Sequence, residues 1–135
     1  MRLIVLVLFT IFSSQSEQIN KVSLLYKGGE NNIYEKLDIS EDSIIYESKI
    51  QGKKIFSCHE KTKPEFWDSI NRVINISNFD KVKIRPHSNE FPIRIITIET
   101  QKKSHKAVVG SQDMLIKDLN KILEQKIEQI RKKKR

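Results

Sequence analysis

The stretch VSLLYKGGENNIYEKLDISEDSIIYESKIQGKKIFSCH (residues 22–59) alternates apolar and polar residues in four short runs. Turn-forming residues separate the runs: Gly28 and Gly29 with Asn31 and Asn32, Ser-Glu-Asp-Ser at 40–43, and Gln-Gly-Lys at 51–53. Alternation with a period of two is typical of strands, and glycine, asparagine and aspartate are typical of turns. The connections are too short for a crossover helix, so the four strands are predicted to pair as an antiparallel meander.

One face of this meander is predicted to be apolar. Every second residue of a strand points to the same face, so the apolar positions of each run belong together. Glu35 falls on the apolar face of the second run, beside two aliphatic residues. The apolar positions are Val22, Leu24 and Tyr26 in the first run, Leu37 and Ile39 in the second, and Ile44, Tyr46 and Ile50 in the third.

The period changes to that of a helix in TKPEFWDSINRVINI (residues 62–76). Thr62 and Glu65 stand three residues apart, as in a capping box, and Pro64 falls in the first turn, where its missing N–H is harmless. Residues 75–78 are expected to end the helix. The alternative to a core stripe is that its two aromatic residues form an exposed recognition pair. The residues expected in the core are Phe66, Trp67, Ile70, Val73 and Ile74.

Strand patterns return downstream of this helix. PIRIITIET (residues 92–100) and HKAVV (residues 105–109) are rich in β-branched residues and are separated by a polar Gln-Lys-Lys-Ser hairpin. KVKI (residues 81–84) is a candidate short edge strand. Two or three strands are therefore expected in this part of the chain.

A second helical stripe follows, in the C-terminal part of the chain. Ser111 is in position to cap this helix, and Asp113 suits its first turn because the helix dipole favours an acid there. The order of elements predicts an α+β fold: an antiparallel sheet built from the four-strand meander and two or three further strands, with both helices packed on one face. The stripe consists of Ile116, Leu119, Leu123, Ile127 and Ile130.

The N-terminal stretch MRLIVLVLFTIFSSQSEQ (residues 1–18) has a basic start, an apolar block and small polar residues. The block is too short to span, as a helix, the roughly 30 Å of hydrocarbon in a bilayer. The pattern predicts a cleaved secretory signal peptide at 1–16, a single α+β domain at 17–130 and a basic C-terminal tail at 131–135, in a secreted or periplasmic protein. The alternatives are a retained N-terminal anchor and a buried first strand.

The chain is basic, with 25 lysines and arginines against 17 aspartates and glutamates, for a net charge of +8. Arg2 belongs to the predicted signal peptide and five cations lie in residues 131–135, so the domain body carries about +2. A nearly neutral body excludes the uniformly basic proteins that wrap nucleic acid. Removing 16 of the 135 residues leaves 119, which is enough for one hydrophobic core.

The basic C-terminus is the sharpest functional feature. Its cations would stabilise the negative end of a helix dipole, which requires no ligand. The alternative is attachment to an anionic membrane or glycan surface, to which each basic residue near a charged membrane contributes about 1 kcal/mol. The candidate contact residues are Arg131, Lys132, Lys133, Lys134 and Arg135.

Metal-binding and catalytic motifs are not found in the sequence. Cys58, His59, Glu60, His87 and His105 lack any CxxC or HExxH spacing, which would bring two ligands together on one element. Neighbouring strand residues point to opposite faces, so Cys58 and His59 do not form a nucleophile–base pair. The single cysteine is expected to be a half-buried thiol, with an intermolecular disulfide as the alternative. The sequence therefore predicts no metal, no cofactor and no enzymatic activity, with a small hydrolase as the remaining alternative.

The most specific stretches are FWDSINRVINISNFDKV (residues 66–82) and NKIL (residues 120–123). Together with the signal peptide, the meander and the terminal helix, they make the chain similar to small exported bacterial domains of unknown function. That resemblance implies no catalytic residue. We expect an exported domain that binds a protein or a cell-envelope component, with binding of an anionic membrane or glycan through the basic tail as the alternative.

Overall fold

The computed structural model describes residues 17–82, 92–108 and 116–134. Their strands and helices occur in separate runs, which is the α+β pattern that the sequence predicts. The elements are β1 (Ile19–Gly28), β2 (Ile33–Ser40), β3 (Ser43–Ile50), β4 (Lys53–Lys61), α1 (Pro64–Val73), α2 (Ile76–Asp80), β5 (Ile93–Thr100), β6 (Ser104–Val108) and α3 (Lys117–Lys133).

The six strands of the described residues form one antiparallel sheet in the order β4-β3-β2-β1-β5-β6. Strands β1 to β4 are neighbours both in the chain and in the sheet, which confirms the predicted meander. After the helices that follow β4, the chain returns to the other side of β1, where β5 pairs, and β6 pairs with β5. The predicted α+β class and antiparallel sheet are confirmed.

Tight turns set the register of the hairpins. Gln51 and Gly52, between β3 and β4, have φ values of 52° and 76°, as the two central residues of a type I′ turn require. Between β1 and β2 the Asn32 N–H donates to the Gly29 carbonyl over 3.1 Å. Gly29 has φ 78°, which favours glycine, and a Cβ added there would meet the Pro92 ring at 3.2 Å, so a larger residue would be strained and would have to displace that ring slightly.

The apolar face of the sheet is part of a single core cluster. Leu24 of β1 pairs with Leu37 of β2 and Ile96 of β5, and all three side chains are buried. Burying a side chain of this size stabilises the fold by about 2 kcal/mol. The same cluster includes residues of all three helices, although the placement of both predicted helices on one face of the sheet stays a prediction. From the predicted stripes, Trp67, Ile70, Ile116, Leu119, Leu123, Ile127 and Ile130 are buried, and Phe66, Val73 and Ile74 are partly buried against the cluster.

The start of α1 differs from the prediction. The capping box of Thr62 and Glu65 is wrong, because Lys63 is the N-cap residue and no side chain caps the helix. The Thr62 hydroxyl instead donates to the Ser40 carbonyl at the end of β2 over 2.8 Å. This hydroxyl is therefore bonded to a strand and does not cap the helix. Pro64 lies in the first turn, as predicted.

The segment after α1 forms a second helix, whereas the sequence pattern indicated only the end of the first. The Asn75 side-chain oxygen accepts the Asn78 N–H over 3.0 Å and so caps α2. Phe79 of α2 is buried in the core. This short helix therefore continues the core of α1 toward β6.

Several predictions concern residues outside the described ranges. The candidate edge strand KVKI is described only at Lys81 and Val82, which form a turn and a bend. The remaining predictions of this kind concern the signal peptide at 1–16, the helix cap Ser111, the first-turn acid Asp113, and the side chains of His87 and Arg135.

Candidate functional site at the end of the C-terminal helix

The predicted basic tail is largely the last turn of α3. This helix continues to Lys133, so the boundary expected after residue 130 falls inside it. Side chains on a helix leave it in directions set by its geometry, so each cation has definite neighbours. Those neighbours decide which of the predicted contact residues remain available to a ligand.

Arg131 forms an ion pair with Glu35 across the core edge. Its guanidinium donates to Glu35 Oε2, and the Glu35 side chain on β2 is only 11% exposed. The Tyr46 hydroxyl donates to the same oxygen over 2.6 Å. Burial, together with this hydrogen bond, raises the pKa of the Tyr46 hydroxyl, which therefore stays protonated at neutral pH. A buried carboxylate requires a partner, so Arg131 acts here as an internal counter-ion.

Lys126 and Lys133 of α3 both bind Glu60 at the end of β4. The two nitrogens lie 2.5 and 2.9 Å from the two carboxylate oxygens. Burial acts to raise the pKa of the Glu60 carboxyl, but the hydrogen bonds from the two lysines outweigh it and the pKa is lowered. Glu60 is therefore ionised at neutral pH and holds the two ammonium groups close together.

Lys132 and Lys134 are less engaged with the described residues. The Lys132 side chain is 72% exposed and its nitrogen lies 3.6 Å from Glu128, one helical turn earlier. Lys134 Nζ lies 5.5 Å from the centre of the Phe56 ring. Exposed ion pairs of this kind contribute at most about 1 kcal/mol, so an anion in solution competes with them easily.

A cleft of about 490 Å³ lies where the end of β4, the start of α1 and the last turns of α3 meet. We call it the lysine cleft, because five of its six charged residues are lysines and its lining carries a net charge of +4. Lys61 and Lys63 form no ion pair with any residue in the described ranges. The charged residues of the lining are Glu60, Lys61, Lys63, Lys126, Lys132 and Lys133.

A second cleft, of about 540 Å³, is lined by residues of β1, β2, β5 and α3. Arg94 donates to Glu124 over 2.5 Å and to the Asn120 side-chain oxygen over 3.1 Å. Three acidic and three basic residues line this cleft, so it has no net charge. It offers no preference for a ligand of either sign, and the lysine cleft is the better candidate site.

A third charged group surrounds His105 on β6, which is almost completely buried. Its two ring nitrogens lie 2.8 Å from Asp80 of α2 and 2.9 Å from Glu17. Burial acts to lower the pKa of His105, but the bonds to the two carboxylates raise it above its ordinary value. Thr100 donates its hydroxyl to Glu17 over 2.7 Å, so the hydroxyl is not presented to the imidazole. The group is an imidazole held between two carboxylates, and it lacks the hydroxyl–imidazole bond of an activated nucleophile.

The remaining described candidates from the sequence, Cys58 and His59, are neighbours on β4. Cys58 is a free, half-buried thiol on β4, and its neighbour His59 is exposed. Within the described ranges, no three histidine, cysteine or acidic side chains are placed to hold a metal ion. No helix in the same ranges has both the length and the apolar character needed to cross a membrane.

The sequence alone predicts only part of the charged site at the end of α3. The sequence pattern places Glu35 on an apolar strand face, and a carboxylate in such a position indicates a buried cationic partner. Nothing local singles out Lys61, Lys63 or Lys126, since Lys126 lies more than sixty positions beyond the other two and meets them only in the folded domain.

Comparison with known proteins adds no assignment. No protein-family model matches the chain, and no curated protein matches it. The resemblance to small exported bacterial domains therefore stays an expectation, and function is inferred from the charges and contacts described above.

Proposed function

We propose that this protein is an exported, non-enzymatic domain that binds an anionic component of the cell envelope through the cationic surface at the end of α3. The observation that carries the proposal is the lysine cleft, in which five lysines face a single glutamate. Like charges in one cleft repel one another, and an anionic ligand would relieve that repulsion. Because the cleft is open to solvent, its attraction for anions would fall when salt screens charges beyond about 8 Å at physiological ionic strength.

The export part of the proposal rests on the sequence of residues 1–16, and the domain predicted to follow is bonded into the fold from its first residue. Glu17, the residue directly after the predicted cleavage position, is bonded to His105 and Thr100. Gln18 next to it accepts a side-chain hydrogen bond from Gln101 over 2.8 Å. The first two residues of the predicted domain are therefore tied to β5, to the turn that follows it and to β6.

The hydrogen bonds and ion pairs of the buried acid–base groups favour a binding function over a catalytic one. Glu35, Glu60 and His105 are the acid–base groups best placed near the core, and each is held by two charged or hydrogen-bonding partners. A general acid or base needs a bond to a reacting group, whereas these bonds are already directed to structural partners. A small hydrolase, the alternative from the sequence, gains no support from these contacts.

Vesicle binding tests the proposal. The purified protein is sedimented with vesicles of phosphatidylcholine alone and with vesicles that also contain phosphatidylglycerol, at low and at high salt. We expect binding to the anionic vesicles only, lost at high salt and lost in the double variant Lys132→Glu, Lys133→Glu, which reverses two charges of the cleft. The matched control is Lys121→Glu with Lys106→Glu, two exposed lysines away from the cleft, which should bind as the unaltered protein does. If the protein ignores anionic vesicles and acidic glycans alike, the proposal is wrong and a protein partner becomes the better hypothesis.

A further inference from the structure

We infer that the lysine cleft binds a phosphate group of the ligand, and that Glu60 occupies the place of that phosphate in the free protein. The inference rests on the proposed function and goes further by naming the chemical group, the residues that hold it and the internal anion that it displaces. It is carried by the geometry of Glu60 and by the lysines that this carboxylate leaves unpaired.

Glu60 shows where an anion fits. Lys126 and Lys133 lie seven residues apart, two turns along α3, so they project from the same side of the helix. Their nitrogens converge on one carboxylate, at 2.5 and 2.9 Å from its two oxygens. An oxyanion of similar size would find both ammonium groups already in place.

One carboxylate does not balance the cleft. With Lys126 and Lys133 paired, Lys61 at the end of β4 and Lys63 before α1 have no carboxylate partner among the described residues. Both belong to the same lining as Glu60, and both are exposed. A ligand with two negative charges, such as a phosphomonoester, would therefore engage these two lysines while taking the place of Glu60 between the other pair.

The charge of the cleft favours phosphate over a carboxylate. A phosphomonoester carries close to two negative charges at neutral pH, against one for a carboxylate, and lysine binds phosphate as a point charge. All five cations of this lining are lysines. Its lining also includes Ile44 and Phe66, and the Lys126 nitrogen lies 5.3 Å from the centre of the Phe66 ring. A cleft of about 490 Å³ is far larger than one phosphate, so the apolar part of the lining is left for the molecule that carries the phosphate.

The first test identifies the group and the place. Calorimetric titrations use inorganic phosphate, glycerol 3-phosphate, vesicles containing phosphatidic acid, and vesicles containing oleate at matched surface charge. In these titrations the double variant Lys61→Gln, Lys63→Gln should bind phosphatidic acid about thirtyfold more weakly. NMR spectra recorded with the soluble phosphates locate the site, and we expect the shifted backbone amides to cluster at residues 61–66. Binding of glycerol 3-phosphate as well would identify the phosphate group itself as the ligand, while binding only of phosphatidic acid vesicles would identify a lipid headgroup.

The second test asks whether removing the Glu60 carboxylate strengthens or weakens the binding of phosphate. In Glu60→Gln the competing carboxylate is gone, so phosphate should bind about fivefold more tightly. If Glu60 served only to position the two lysines, the same variant would bind more weakly. Thermal unfolding of each variant verifies that the fold is retained, since all three substituted residues lie at the protein surface or near it.

The outcomes separate this inference from the proposed function. Tight binding that prefers phosphatidic acid to oleate, and that depends on Lys61 and Lys63, supports both. Equal binding to oleate vesicles, or binding that survives Lys61→Gln with Lys63→Gln, or weaker binding by Glu60→Gln, overturns the inference but leaves anionic-surface binding intact. No binding to phosphate or to any of these vesicles overturns the inference, and a failure to bind acidic glycans as well overturns the proposed function.

Discussion

Replacing Tyr46 with phenylalanine removes a single hydroxyl from the buried group that holds Glu35. That hydroxyl donates over 2.6 Å to a carboxylate oxygen, and both side chains are buried. A hydrogen bond to a charged group contributes about 1.5–3 kcal/mol. Arg131 still neutralises Glu35 in the variant, so the cost should fall in the lower half of that range. We expect the free energy of unfolding to decrease by about 2 kcal/mol.

The expected loss is large enough to measure in a domain of this size. At about 4 °C per kcal/mol, a cost of 2 kcal/mol lowers Tm by roughly 8 °C. Urea unfolding followed by fluorescence of the single tryptophan, Trp67, which is buried in α1, gives the same quantity from the shift in midpoint at constant slope. The control is Tyr34→Phe, whose hydroxyl makes no hydrogen bond with the described residues and whose loss should change stability by less than about 0.5 kcal/mol. A Tyr46→Phe variant as stable as this control would show that the buried hydroxyl contributes nothing, and would refute the assignment of the Glu35 group as a structural element.

Three further predictions follow from the fold. The folded-state pKa of His105 is raised above 6.5, so the stability that protonated His105 contributes is present below about pH 6.5 and is lost as the pH rises through the raised value. Tm should therefore fall over that pH interval. The fall should disappear in the variant His105→Gln but persist in the control His59→Gln. Leu123 is fully buried, so Leu123→Ala should cost about 3–4 kcal/mol in urea unfolding, and a cost under about 1 kcal/mol would contradict the core described here. Gly52 has φ 76° with open space around its Cα, so Gly52→Ala should cost about 1 kcal/mol through backbone strain alone, and an unchanged Tm would show that the turn relaxes.

The strands and the two long helices were predictable because each has a strong local period. The alternation of Leu37, Ile39 and their neighbours is visible within a few residues, as is the helical stripe from Ile116 to Ile130. The short helix α2 was missed because five residues are too few to show a period. Its cap, Asn75, was interpreted as an ending because asparagine also favours turns.

The partners of the basic residues were not predictable from local patterns. Arg131 and Glu35 are 96 positions apart in the chain, and Lys133 and Glu60 are 73 apart. Only the packing of α3 against the sheet brings them together. The same non-local competition explains the absent capping box, since the Ser40 carbonyl that accepts from Thr62 lies 22 positions upstream.

The central position of β1 has a consequence for how the chain folds. β1 is hydrogen-bonded on one side to β2, which follows at once, and on the other to β5, which begins more than sixty residues after β1 ends. A chain that emerges from its N-terminus completes the meander while this second edge of β1 still lacks its partner, and an open strand edge is a template for pairing between molecules. Completion of the sheet thus waits for Ile93–Thr100, and mutations that weaken β5 should reduce the yield of the protein through aggregation before they show any effect on its finished surface.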